Sequence, residues 1–187
     1  SNMFAYLFAA LLLPIFSRML KLGESIRELV DFAFKILMGF GLVLTVFCVF
    51  YGDEIIALRY YNYVSESSNI FIVLMICFLC VASTYIYGTL LTANGNLFFL
   101  NIIAGFGVIL NILLNIILIP KYHALGSAFA SLITQFLTGV FQIILCFHVF
   151  KLNLHATFIR LFIFLLGLVL FTSYLNSEIQ SLYYAVI

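Results

Sequence analysis

Residues 108–131 read VILNILLNIILIPKYHALGSAFAS, and this stretch decides the fold of the chain. Its first half is an apolar run long enough to form a helix. Pro120 lacks a backbone donor and disfavours the helical conformation of the residue before it, so the first helix is predicted to end there. The small residues from Gly126 onward allow a second helix to approach its neighbour closely. The stretch therefore predicts a membrane helical hairpin with a short polar corner.

Two asparagines interrupt the apolar run. Asn111 and Asn115 are four residues apart, so they share one face of a helix. Polar side chains are costly in hydrocarbon, and this face is therefore expected to turn toward other helices.

The composition of the whole chain favours an integral membrane protein. Of its 187 residues, 66% are hydrophobic and 8% are charged, and the mean hydropathy is +1.26. A soluble domain needs a charged exterior around its core, which so few charges cannot supply. The net charge of +1 forms no basic stripe, so nucleic acid is not an expected partner.

Apolar runs along the chain predict an all-α, polytopic bundle of about six spanning helices, because a helix needs about 20 apolar residues to cross a bilayer. Ser1 and Asn2 precede the first methionine and resemble a remnant of protease cleavage, so residues 3–187 form the single predicted transmembrane domain. Another helix could begin at residue 182. The six predicted helices cover residues 3–20, 29–50, 69–92, 97–119, 124–149 and 157–175.

Lysines and arginines in alternate loops predict the orientation. Six of the eight basic residues lie on one side of the predicted membrane. Basic loops stay in the cytoplasm, so the loops near residues 21–28 and 151–156 are expected to be cytoplasmic and the end at residue 3 to lie outside.

Two segments resemble a known family. The pattern N-x-x-x-N-x-x-L-I-P-x-Y-x-x-x-G-S-A-x-A-S, from Asn111 to Ser131, resembles the polysaccharide-biosynthesis branch of the multidrug, oligosaccharidyl-lipid and polysaccharide exporter superfamily, which includes O-antigen and lipid II flippases. The string ALLLPIFSR at residues 10–18 resembles the apolar-Pro-x-x-Ser segment in the second helix of each half of such a transporter. The family has glycine and a small residue where this chain has His123 and Phe129.

The resemblance implies that the chain is the C-terminal half of a two-lobed flippase in the bacterial inner membrane. Such a transporter flips a polyprenyl-pyrophosphate-linked oligosaccharide for polysaccharide export by alternating access between its halves. The implied partners are the lipid bilayer, the lipid-linked sugar substrate and the missing N-terminal half. No bond is made or broken, so neither enzyme activity nor a cofactor is expected.

A flippase needs cations for the pyrophosphate and amides or hydroxyls for the sugar. The alternative roles of these residues are anchoring of helix ends for the cations and hydrogen bonding between helices for the amides. The candidate cations near membrane depth are Arg18, Arg27 and Arg160. The candidate amides within spans are Asn101, Asn111, Asn115, Gln135 and Gln142.

Other functions stay open. A drug or cation antiporter of the same superfamily would be expected to carry an acid within a span, and the predicted spans contain no central acid. A polysaccharide polymerase would be expected to carry a large outside loop rich in arginine or histidine, whereas the longest loop here holds one arginine, Arg59. Cys77 and Cys80 form a C-x-x-C pattern within an apolar run, which indicates buried, inert thiols rather than a metal site. A scaffold that only binds partners is the third alternative.

Overall fold

A computed structural model describes residues 2–59, 63–152 and 155–186, and over these ranges the regular structure is entirely α-helical. The predicted helices lie inside the observed ones, because apolar length detects only the part of a helix that suits hydrocarbon. The five helices are α1 (Asn2–Leu22), α2 (Arg27–Ala57), α3 (Val64–Ala93), α4 (Leu97–Phe150) and α5 (His155–Val186).

Four of these helices are long and apolar enough to cross a membrane: α2, α3, α4 and, in α5, the segment Thr157–Tyr174. The chain thus has the helical composition of a multi-pass membrane protein, but the predicted count of about six spans is not confirmed. Two predicted runs, 97–119 and 124–149, belong to the single element α4. No helix begins at residue 182, since that position lies within α5.

The break in α4 falls at His123 and not at Pro120. Pro120 lies inside the helix, because its own φ is helical, although it removes one backbone hydrogen bond and crowds the carbonyl four residues earlier. His123 has φ 51° and ψ −128°, which is far from helical geometry. The prediction that the first helix ends before Pro120 is therefore wrong by a few residues.

The arms of α4 on either side of His123 fold back against each other. The rings of Phe106 and Phe141 are 5.7 Å apart between centroids, and Asn111 Nδ2 donates a hydrogen bond of 3.4 Å to Thr134 Oγ1. Phe106 pairs with Phe141 and the later residue Asn111 pairs with the earlier residue Thr134, so the two arms are antiparallel. This is the arrangement that the hairpin prediction requires.

Replacing His123 with glycine is expected to stabilise the protein by about 1 kcal/mol. A non-glycine residue in such a backbone conformation costs about 1–3 kcal/mol, and part of the gain is offset because glycine loses about 0.5–1 kcal/mol more entropy on folding. Chemical denaturation in detergent measures the change. His123→Ala is the control, because it keeps the Cβ atom that causes the strain; equal stabilisation by alanine and glycine would contradict the strain argument.

The centre of the bundle is α3, which packs against α1, α2 and α4. Its residues Ile86, Tyr87, Leu90 and Leu91 have at most 1% exposure. The outward surfaces of α4 and α5, in contrast, expose many large apolar side chains, as a surface that faces lipid tails would.

The contacts between α5 and α2 include a polar and an aromatic contact near the starts of the two helices. Asp31 accepts hydrogen bonds from Lys35 of its own helix and from Thr157 of α5. The rings of Phe34 and Phe158 lie 5.3 Å apart beside this cluster. Asp31 therefore links the two helices.

Replacing Asp31 with leucine is expected to lower the free energy of unfolding by about 1–2 kcal/mol, because Lys35 loses its anionic partner and Thr157 loses its acceptor. The loss stays below that of a fully buried pair, since Lys35 and Asp31 are 34% and 25% exposed. A double-mutant cycle in detergent checks this. The double variant Asp31→Leu/Lys35→Leu should recover part of the lost free energy of unfolding. A larger loss in the double variant than in Asp31→Leu would disprove the proposed cause.

Candidate functional site

A polar cavity lies between α3 and the two arms of α4. This hairpin cavity has a volume of about 520 Å³. The described residues that line it include three amides and four hydroxyls but no charged side chain, so its chemistry suits an uncharged polar ligand. Its lining residues are Thr84, Ile103, Ala104, Gly107, Val108, Asn111, Ile112, Ser131, Thr134, Gln135, Thr138 and Gln142.

A second cavity, of about 560 Å³, lies between α1, α3 and α4. This α1 cavity shares Thr84 and Gln142 with the hairpin cavity, so the two cavities meet at these side chains. Its other lining residues are Tyr6, Ala9, Ala10, Leu13, Tyr85, Gly88, Thr89, Thr92 and Leu100.

The threonines of the hairpin cavity donate their hydroxyl protons to their own helices. Thr84 donates to the Val81 carbonyl at 2.8 Å, and Thr134 donates to the Ala130 carbonyl at 2.8 Å. Thr138 does the same toward the Thr134 carbonyl at 3.0 Å. A hydroxyl whose proton is engaged still offers its oxygen lone pairs, so these groups act toward a ligand as acceptors.

Gln142 adds another acceptor. Its Oε1 atom is buried, and no donor among the described residues lies within hydrogen-bonding distance. A buried acceptor without a donor costs about 1–3 kcal/mol, so a donor on a ligand would be stabilised here. The side chain packs close to Gly88, where an added Cβ atom would lie 3.2 Å from Gln142 Oε1.

Of the amides proposed from sequence, the structure brings Asn111, Gln135 and Gln142 together in the hairpin cavity. Asn115 lies one turn along from Asn111 and donates to Asn111 Oδ1 at 2.9 Å, outside the cavity lining. Asn101 is exposed and lines neither cavity.

The proposed cations lie elsewhere. Arg18, Arg27 and Arg160 are all exposed, each near an end of its helix, and none is among the described residues that line the two cavities. Arg18 lies with Glu24 beside a separate surface depression near the end of α1. The structure therefore groups the amides and leaves the arginines apart.

The hydroxyl groups of the site were not predicted from sequence. Thr84 lies on α3, and Ser131, Thr134 and Thr138 lie on the second arm of α4. A signal was present on this arm, since the serine and threonines recur at intervals of three and four residues and so mark one helix face. Small hydroxyl residues are common wherever membrane helices pack, so their spacing alone does not indicate that they line a cavity.

Comparisons with protein-family models, with curated proteins and with solved structures find no match for this chain. Its class is accordingly defined by its own features: a helical bundle with the composition of a multi-pass membrane protein, with an open polar cavity that has no charged residue among its described lining. In the part of the chain that the structure describes, no three histidine, cysteine, aspartate or glutamate side chains gather as a metal site would require.

Proposed function

We propose that this chain is part of a membrane transporter that flips a polyprenyl-pyrophosphate-linked oligosaccharide across the bacterial inner membrane for polysaccharide export. The observation that carries the proposal is the hairpin cavity, which concentrates amides and hydroxyls inside an otherwise apolar bundle. Placing polar groups there is costly unless they pair with one another or with a polar substrate.

In this proposal the chain crosses the membrane six times. A single straight helix of 54 residues would be about 80 Å long, far more than the roughly 30 Å of a hydrocarbon core. The two arms of α4 therefore cross separately, and α1 provides the remaining crossing. The basic residues then put the loops near 21–28 and 151–156 in the cytoplasm.

The substrate is divided between three environments. Its sugar hydroxyls donate to the acceptors of the hairpin cavity, and its polyprenyl chain stays in the lipid that faces α4 and α5. Its pyrophosphate stays at headgroup depth, where exposed arginines such as Arg18 and Arg160 attract it. Alternating access requires a second lobe, so the N-terminal half of the transporter is the proposed partner.

The sidedness of the lipid-linked sugar tests this proposal. Cells that lack the full-length gene are expected to accumulate unextended lipid-linked oligosaccharide on the cytoplasmic face. A membrane-impermeant sugar-binding probe, applied to vesicles of both orientations, measures the distribution. Delivery to the outer face with failed chain extension would contradict the proposal in favour of a polymerase. If neither the sidedness of the lipid-linked sugar nor chain extension changes, the proposal is contradicted in favour of an exporter of other substrates or a scaffold.

A further inference from the structure

We propose that Gln142 and Thr84 form a polar constriction between two consecutive subsites, and that Gln142 selects an uncharged ligand rich in hydroxyl donors. The inference rests on the proposed function in naming a sugar as this ligand. It goes beyond that function by assigning the selecting residue and the route between the cavities.

The two cavities follow each other along the helices. On the first arm of α4, the α1 cavity reaches Leu100 and the hairpin cavity begins at Ile103 and continues to Ile112. On α3, the α1 cavity extends from Thr84 to Thr92, toward the turn that leads into α4. A ligand moving between the turn and the middle of the hairpin would thus pass from one cavity to the other.

The side chains at the junction belong to both cavities. Thr84 comes from α3 and Gln142 from the second arm of α4, so two different elements form the junction. Gly88 lies one turn along α3 from Thr84, and its missing side chain leaves room for the Gln142 amide. A residue with a Cβ atom at this position would push the amide toward the passage.

The chemistry at the junction is one of acceptors. Thr84 donates its proton to the Val81 carbonyl, and Gln142 Oε1 is buried without a donor among the described residues. Hydroxyls of a sugar supply donors to both oxygens. The diesterified pyrophosphate of a lipid-linked sugar is fully ionised at neutral pH and presents only acceptors, and it meets no cation among the described lining residues, so the junction discriminates against it.

A thiol-protection experiment on the full chain in membrane vesicles tests the inference. Ser131→Cys places a reporter in the hairpin cavity, and the rate of its modification by a small hydrophilic methanethiosulfonate is measured with increasing glucose or inorganic pyrophosphate. The protein without this substitution gives the background, since three of its four cysteines are buried and the fourth is half-buried. Glucose is expected to protect the reporter and pyrophosphate is not.

Gln142→Leu is expected to raise the glucose concentration for half-protection about tenfold, because one hydrogen bond in the site is lost. Thr84→Val keeps the shape of the side chain and should raise the glucose concentration for half-protection severalfold. This variant replaces Gln142→Leu in the test if Gln142→Leu fails to fold. Asn101→Leu is the control, since Asn101 lines neither cavity. Unchanged half-protection in both junction variants, or stronger protection by pyrophosphate, would overturn the inference.

The constriction itself has a separate readout. Gln142→Ala is expected to speed modification of the Ser131→Cys reporter at least tenfold without glucose, because the passage widens, while a Thr92→Cys reporter in the α1 cavity keeps its rate. Equal rates with and without Gln142→Ala would disprove a constriction. If Gln142→Leu loses sugar protection but cells that lack the gene keep the normal sidedness of lipid-linked sugar, the proposed flippase is refuted and the selecting role of Gln142 stands.

Discussion

Gly126→Val is expected to disrupt the hairpin of α4 and to lower the free energy of unfolding by about 3 kcal/mol. A Cβ atom on Gly126 would collide with the carbonyl group of Leu118, close to the corner at His123. The obstacle is backbone and not a flexible side chain, so neither arm can yield without separating from the other. Denaturation in detergent measures the loss, and reduced yield of folded protein should accompany it.

Gly105→Ala is the matched control for this prediction. Gly105 lies on the first arm of the same hairpin, and an added Cβ atom there would meet no atom within 4 Å. Alanine is favoured over glycine in a helix by about 0.8–1.0 kcal/mol, so this variant should be as stable as the unsubstituted protein or more so. Similar destabilisation by both substitutions would argue against a close contact at Gly126.

Asn111→Leu is expected to reduce sugar transport at least tenfold while leaving the protein folded. The substitution removes an amide from the hairpin cavity and fills part of its volume with an apolar side chain. Its structural cost is small, because the bond to Thr134 Oγ1 is long at 3.4 Å and hydrogen bonds between membrane helices contribute about 0.6 kcal/mol on average. Asn115 Nδ2 loses the Asn111 Oδ1 acceptor but keeps its 2.9 Å bond to the Asn111 backbone carbonyl. Each variant is expressed in cells that lack the gene. The amount of lipid-linked sugar delivered to the outer face then measures transport.

Asn101→Leu supplies the comparison for transport. Asn101 is an asparagine on the same arm, but it is exposed and lines neither cavity. Leucine at this position should restore delivery to the level of the unsubstituted protein. If both leucine variants lose transport equally, the hairpin cavity is not the sugar site.

The helical class of this chain could be predicted because apolar length alone distinguishes a membrane helix from other structure. The helix boundaries could not be predicted in the same way. For example, α2 continues past its predicted end at residue 50, through the non-helical residue Tyr51, to Ala57. The position of the α4 corner was missed for a related reason. Proline is only a statistical helix stop, whereas the conformation of His123 is set by the packing of the two arms against each other.

The candidate site could be predicted only in part. Asn111, Gln135 and Gln142 were found because an amide within an apolar run is conspicuous, and they share a cavity. Asn101 met the same criterion but faces outward, because sequence does not reveal which side of a helix a neighbour will cover. The threonines were missed because their hydroxyls also donate to the helix backbone, and only the fold reveals that they line one cavity.

The packing of α5 has a consequence for the order in which the protein assembles. α1, α2 and α4 each pack extensively against the central helix α3, whereas the described residues of α5 pack mainly against α2. The first four helices can therefore associate before α5 has left the ribosome and docked. In the mature protein α5 packs at the edge of the bundle and α3 at its centre, so the amides of α5 should exchange with solvent deuterium earlier than those of α3.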